Sequence, residues 1–110
     1  MKRNAADGLF TKPSRLMDEF IVRLARAAID DLNDIPKAFR DQVISEIKSL
    51  SINPLPTGSR IKKLKGFKPP LYRLRSGDYR VLYRLQSHNI TIMRIINRKE
   101  LEKIIKRANL

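Results

Sequence analysis

The spacing of hydrophobic residues changes period along this chain, from helical in its first half to alternating in its second. Phe20-Ile21-Val22-Arg23-Leu24 is a short run rich in large and β-branched residues, which predicts an opening strand. Ala25, Ala28, Ile29 and Leu32 then recur at i, i+3, i+4 and i+7, one face of a short helix ending near Asn33. Asp34 ahead of Pro36 reads as a cap before a second helix, with Phe39, Val43, Ile47 and Leu50 along one side. Asn53-Pro54, Pro56 and Thr57-Gly58 break the pattern, so the two helices are expected to form an antiparallel pair before the chain turns back.

Beyond that point the pattern alternates. Leu71–Arg75, Tyr79–Leu85 and Ile90–Ile96 read as three strands, separated by Ser76-Gly77 and by Gln86–Asn89, the spacing of consecutive hairpins. Leu101, Ile104, Ile105 and Ala108 share one face of a closing helix that starts near Arg98. Strand, two helices, a three-strand meander and a helix define an α+β fold. Two layers are expected: the N-terminal strand and helix hairpin on a mainly antiparallel sheet, whose other face stays partly open.

A chain of 110 residues has room for one core. Met17-Asp18-Glu19 ahead of the first strand reads as a domain start, so residues 1–16 are expected to be a poorly ordered extension and 17–110 the domain. The chain has no Cys, which excludes disulfides, thiolate zinc sites and cysteine nucleophiles. No apolar run approaches a membrane span or a secretory signal, so the expectation is a soluble cytoplasmic protein.

Charge is distributed unevenly. Residues 1–55 carry nine Lys/Arg against eight Asp/Glu, and residues 56–110 carry fifteen against three, so the second half supplies +12 of a net +13. Such asymmetry is the footprint of a phosphate backbone or an acidic partner. Alternation places Arg73 and Arg75 on one face of their strand and Arg80 and Arg84 on one face of the next. With Ser76-Gly77 as a two-residue loop, Arg75 pairs with Asp78 and Arg73 falls opposite Arg80, so two arginines meet across the ladder. Arg98 stands at the edge of the same surface, and Lys62, Lys63 and Lys65 precede it along the rim. Guanidinium forks suit phosphate oxygens and a phosphorane. Tyr72, Tyr79 and Tyr83 offer faces for base stacking, but alternating strand tyrosines are more often core. His88 reads as a turn residue, and Asp30, Asp31 and Asp34 as helix-end solvation without metal-loop spacing. No Walker loop or dinucleotide fingerprint is present.

Ile61-Lys62-Lys63-Leu64-Lys65-Gly66, the run Leu71-Tyr72-Arg73-Leu74-Arg75-Ser76-Gly77-Asp78-Tyr79-Arg80-Val81-Leu82-Tyr83, and Asn97-Arg98-Lys99-Glu100 together resemble the RelE/ParE superfamily of toxin–antitoxin modules, in element order over Met17–Leu110. The resemblance implies a type II toxin, RelE-like, that enters the ribosomal decoding site. There it cuts mRNA without metal or cofactor, driving the ribose 2′-hydroxyl onto the adjacent phosphate, and a cognate antitoxin restrains it in a hetero-oligomeric complex. It also implies two other activities carried by the same fold: a ParE-like DNA gyrase inhibitor, or a non-cleaving RNA-binding relative. By motif position the catalytic set falls on Arg73, Arg75, Arg80 and Arg98, with Lys62, Lys63, Lys65, Arg84 and Lys99 as RNA contacts. Arg73 and Arg75 stand where well-known RelE members carry lysines, and arginine does not give up its proton. A tyrosine frequent in the family's closing helix is replaced here by Glu102 or Ile104, which makes Glu102 the candidate for proton transfer.

Overall fold

The computed structural model describes residues 20–107. The expected extension at 1–16, the domain start at Met17 and the helical contact of Ala108 lie outside the described residues. Five strands and three helices follow in the order β1 (Ile21–Leu24), α1 (Arg26–Asp34), α2 (Lys37–Ser49), β2 (Ile61–Leu64), β3 (Leu71–Ser76), β4 (Tyr79–Gln86), β5 (Asn89–Asn97) and α3 (Leu101–Arg107), with a 3-10 turn at Arg98–Glu100. The strands form one sheet in the order β1-β5-β4-β3-β2. Only β1 is parallel, lying along β5, and the other pairings are antiparallel. No described helix is long and apolar enough to cross a membrane.

Alternation assigns the two faces of the sheet. Tyr72 and Leu74 on β3, Val81 and Tyr83 on β4, and Ile90, Ile92 and Ile95 on β5 point to the same side and bury against Ala28 of α1 and Val43 and Ile47 of α2. This is the main core. Leu71, Leu82 and Ile96 point the other way and form a smaller cluster with Leu64, Phe67, Met93 and, from α3, Leu101 and Ile104. The third helix thus covers part of the face opposite α1 and α2. Buried Tyr72 and Tyr83 stack on each other within the main core, ring centroids 5.4 Å apart. They belong to the packing reading, and neither face is free for a base. Burial pushes the Tyr83 phenol well above its ordinary value, and its hydroxyl donates to the Pro54 carbonyl.

Several local expectations need correction. The helical stripes are narrower than their periodicity suggests, since Ile29 and Phe39 are 42% and 52% exposed. Asp34 does not cap α2; Pro36 holds that position and no side chain caps it. Instead Arg40 of α2 donates through Nε and Nη2 to the Ile35 carbonyl, at 3.2 and 3.0 Å, satisfying an acceptor just beyond the end of α1. Asp31 does more than solvate a helix end. Its carboxylate accepts from Arg94 Nε (2.7 Å), Arg94 Nη2 (3.1 Å) and the Ile95 amide (2.9 Å). β1 pairs with β5 only as far as Ile92, so Asp31 satisfies a β5 amide that has no strand beside it. The hydrogen bonds that Arg94 donates to Asp31 raise its pKa above the ordinary arginine value. Among the described residues, no group of three or more His, Asp and Glu is arranged to hold a metal ion.

Candidate phosphate-binding face

The hairpin joining β3 to β4 decides which arginines meet. Ser76 pairs with Tyr79, so the two-residue loop is Gly77-Asp78 rather than Ser76-Gly77. Gly77 takes φ +58 at the first loop position, where a tight hairpin favours glycine, while Ser76 remains inside the strand and buried. The register therefore shifts by two. Arg75 lies opposite Arg80, and Arg73 lies opposite Leu82. Two guanidinium stems still face each other across the ladder, with different partners. Directly opposed residues on one face have Cβ atoms roughly 4.5–5.5 Å apart.

β2 adds a residue to this face. Ile61–Leu64 is an edge strand paired with β3, a segment expected only to precede the meander. Lys62 sits opposite Arg73 and shares its side of the sheet, whereas Lys63 sits opposite Tyr72 and points to the other side. Arg98 arrives from β5. Asn97 caps the 3-10 turn through the Lys99 amide (2.9 Å), and the Arg98 amide donates to the Asp78 carbonyl (2.8 Å). That backbone bond ties the β5 exit to the hairpin tip. It brings the Asp78 carboxylate to 3.7 Å from Arg98 Nε.

Two of the four guanidinium groups are held by main-chain acceptors. Arg80 Nη1 donates to the carbonyls of Gly77 (2.8 Å) and Tyr79 (2.9 Å), and Arg73 Nη2 donates to the Ser59 carbonyl (2.8 Å). Arg60 anchors that segment, since its Nη2 bonds Glu46 (2.8 Å) and Ser49 (2.7 Å) of α2 while its carbonyl takes the Arg75 amide (2.8 Å). Arg73 Nε is buried without a hydrogen-bond partner. Burial lowers the Arg80 pKa from the ordinary arginine value, and repulsion from Arg73, Arg75 and Arg98 lowers it further, with Asp78 acting in the opposite sense. Burial and repulsion from Arg75 lower Arg73 in the same way. Arg80 stands close enough to the other three to feel each of them. Arginine keeps its proton under these pressures, so the face remains cationic.

The structure thus gathers Arg73, Arg75, Arg80 and Arg98, with Lys62 beside Arg73. The other predicted contacts lie apart. Arg84 is opposite Leu71, four residues or about 13 Å along β4 from Arg80, and it donates to the Pro69 carbonyl. Leu82 stands between it and Arg80 on β4, while Arg73, opposite Leu82, is its diagonal neighbour. Lys65 and Lys99 are exposed outside the strands. Glu102 is exposed on α3, about 100° around the helix from Leu101, beside the stripe that packs on the sheet rather than on it. Sequence reading missed Asp78 as a partner of these cations, because it lies 20 positions from Arg98 and meets it only through the fold.

Residues 22–102 match the family model described as the ParE toxin of the type II toxin–antitoxin system parDE. A Methanocaldococcus jannaschii protein named for the RelE toxins, RelE1, is 36% identical over 84 residues, covering 74% of this chain and 92% of its own. The toxin in the archaeal RelE–RelB complex from Pyrococcus horikoshii superposes with a TM-score of 0.63 at 28% identity, over 73% of this chain and 96% of that one. The Mycobacterium tuberculosis RelBE2 toxin–antitoxin complex gives 0.61 at 26%, over 72% and 98%. The chain belongs to the RelE/ParE superfamily of type II toxins. Within it the chain is RelE-like, and the five-stranded α+β architecture is that of the RelE toxins.

Proposed function

We propose that this chain inhibits translation by cutting mRNA in the ribosomal decoding site. The observation that carries the reading is that Arg73, Arg75 and Arg80 share one sheet face, Arg73 and Arg80 held by main-chain acceptors, with Arg98 tied to the hairpin tip beside them. In this reading the arginines grip the scissile phosphate. The ribose 2′-oxygen attacks phosphorus and the bond to the 5′-oxygen breaks, leaving a 2′,3′-cyclic phosphate and a 5′-hydroxyl. Two charges develop on the phosphorane, and guanidinium donors aimed at its oxygens stabilise that state more than the monoanionic ground state. The reaction needs no metal in this scheme. The 2′-proton passes to water, to a ribosomal group or to Glu102, and the leaving 5′-oxygen takes one up from water or a ribosomal group, because arginine cannot exchange protons at neutral pH. Glu102 is the carboxylate that α3 offers for this transfer, and Glu102→Gln tests it. Lys62 follows the strand next to Arg73, with Lys63, Lys65, Arg84 and Lys99 as outlying phosphate contacts.

This activity places the protein in the cytoplasm, restrained by a cognate antitoxin. The similarity to toxins solved together with their antitoxins supports that partner. The ParE description of the matching family model supports a second reading, binding to DNA gyrase without catalysis. Cell-free translation with primer extension on the message, run beside a gyrase supercoiling assay, separates the two. The nuclease reading expects new 5′ ends in the coding region, reduced about 10²–10³-fold by Arg80→Ala, the scale of losing one preorganised donor to an oxyanion. Intact message with blocked supercoiling overturns it.

A further inference from the structure

Asp78 sits at the tip of the β3–β4 hairpin, at the mouth of the arginine cluster. Its backbone and its side chain make separate contacts. The carbonyl accepts the Arg98 amide at 2.8 Å, fixing where the 3-10 turn begins. The carboxylate lies 3.7 Å from Arg98 Nε, beyond hydrogen-bond distance, with the two side chains 58% and 74% exposed. The contact is therefore an ion pair open to water, and it also opposes the mutual repulsion felt by Arg80. A loose pair of this kind is easily broken, and a phosphate offers Arg98 a stronger, two-point partner than this geometry allows.

We infer that Asp78 is a built-in competitor for the RNA phosphate at Arg98, occupying that cation in the free toxin and yielding it when a strand docks. The inference rests on the reading above that the arginine face receives an RNA phosphate. A free polyanion in solution must displace the carboxylate unaided. A strand already held over the face by other contacts displaces it at high local concentration. Asp78 lowers both affinities by the same factor, a loss that a presented strand at high local concentration tolerates and a dilute loose strand does not. Electrostatic discrimination of this kind is a negative term built into the site.

The test uses the full chain and a fluorescently labelled single-stranded RNA oligonucleotide, with anisotropy read over a series of salt concentrations. Asp78→Asn removes the charge, keeps the backbone bond and suits a turn position. It is expected to tighten binding several-fold at low salt and to steepen the slope of log K against log salt by up to about 0.7, the value for one further single-strand phosphate contact. Asp78→Ser must reproduce the shift, which guards against a fold effect peculiar to asparagine. Asp41→Asn is the control for net charge, since Asp41 pairs with Lys37 on α2, on the other side of the sheet (3.4 Å). The inference is overturned if Asp78→Asn leaves affinity and slope unchanged, weakens binding, or shifts them no more than Asp41→Asn does. Arg80→Ala in the same assay reports on the underlying reading separately. If that variant binds RNA like the parent while Asp78→Asn still steepens the slope, competition at Arg98 stands and the four-arginine phosphate site does not.

Discussion

Replacing Asp31 with alanine tests whether one carboxylate holds the open edge of β5. The side chain is 16% exposed and accepts three hydrogen bonds, two from Arg94 and one from the Ile95 amide. Ile95 belongs to the main core, so its amide has little access to water once Asp31 is gone. Leaving such a donor unpaired costs about 1–2 kcal/mol. Arg94 is 30% exposed, so water compensates part of its loss; roughly 1–2 kcal/mol remains after that discount. The sum, about 2–4 kcal/mol, is a large share of the 5–15 kcal/mol that stabilises a typical domain. For a chain of this size it corresponds to a fall in Tm of roughly 10–25 °C. Urea titration followed by far-UV circular dichroism measures it as a lower midpoint at constant slope. The neighbouring Asp30 supplies the contrast, since its pair with Arg26 is exposed and loose at 3.8 Å. Asp30→Ala should stay within about 0.5 kcal/mol of the parent. Adding Arg94→Met to Asp31→Ala should recover part of the loss by removing the stranded cation. Equal stabilities for the two alanine variants would refute the argument.

Three further outcomes follow from the geometry. Tyr83→Phe removes the donor to the buried Pro54 carbonyl without changing shape; a loss of about 1–2 kcal/mol in chemical denaturation is expected, and a neutral result would mean that water reaches that carbonyl. Gly77→Ala places a side chain at φ +58 where no atom lies within 4 Å, so its cost is conformational alone, about 1–2 kcal/mol by thermal melting. Arg84→Ala should reduce message cleavage less than tenfold while Arg80→Ala abolishes most of it, because Arg84 stands about 13 Å along β4 from Arg80 and its guanidinium is engaged by the Pro69 carbonyl; comparable losses in primer extension would contradict that difference.

The element order was legible because most segments carry one clear period. Val43, Ile47 and Leu50 mark a helix face, and Leu74, Val81, Tyr83, Ile90 and Ile92 alternate into one core. β2 was hidden because Ile61 and Leu64 are three apart and point to opposite sides of the sheet, one into each hydrophobic cluster. Two lysines between two apolar ends give no alternation to count. The hairpin register was misread because Ser-Gly is itself a turn signal. The structure instead keeps Ser76 in the ladder and gives Gly77 the first loop position. The parallel β1–β5 pairing, the Asp31–Arg94 bond and the Asp78–Arg98 pair all join distant positions, and local pattern carries no trace of them. That Arg73, Arg75 and Arg80 share a face was legible for a different reason. Alternation alone fixes which residues share a face, so a register error of two exchanges partners without turning any guanidinium to the other side.

That parity also explains how the fold tolerates so much positive charge in one place. Arg75 opposite Arg80 works against the β3–β4 pairing by roughly 0.2–1 kcal/mol, as like charges across a ladder do. The same two strands contribute Tyr72, Leu74, Val81 and Tyr83 to the main core on their other face, and each buried side chain of this kind stabilises by about 1.5–3 kcal/mol. The hydrophobic face therefore outweighs the repulsion several times over. A covered face holds the hairpin rigid, and this rigidity lets the opposite face keep cations at a spacing they would not choose in solution. Separation of the two tasks onto the two sides of one sheet makes the cluster pre-organised: its repulsion is a standing cost of folding that Asp78 offsets only in part.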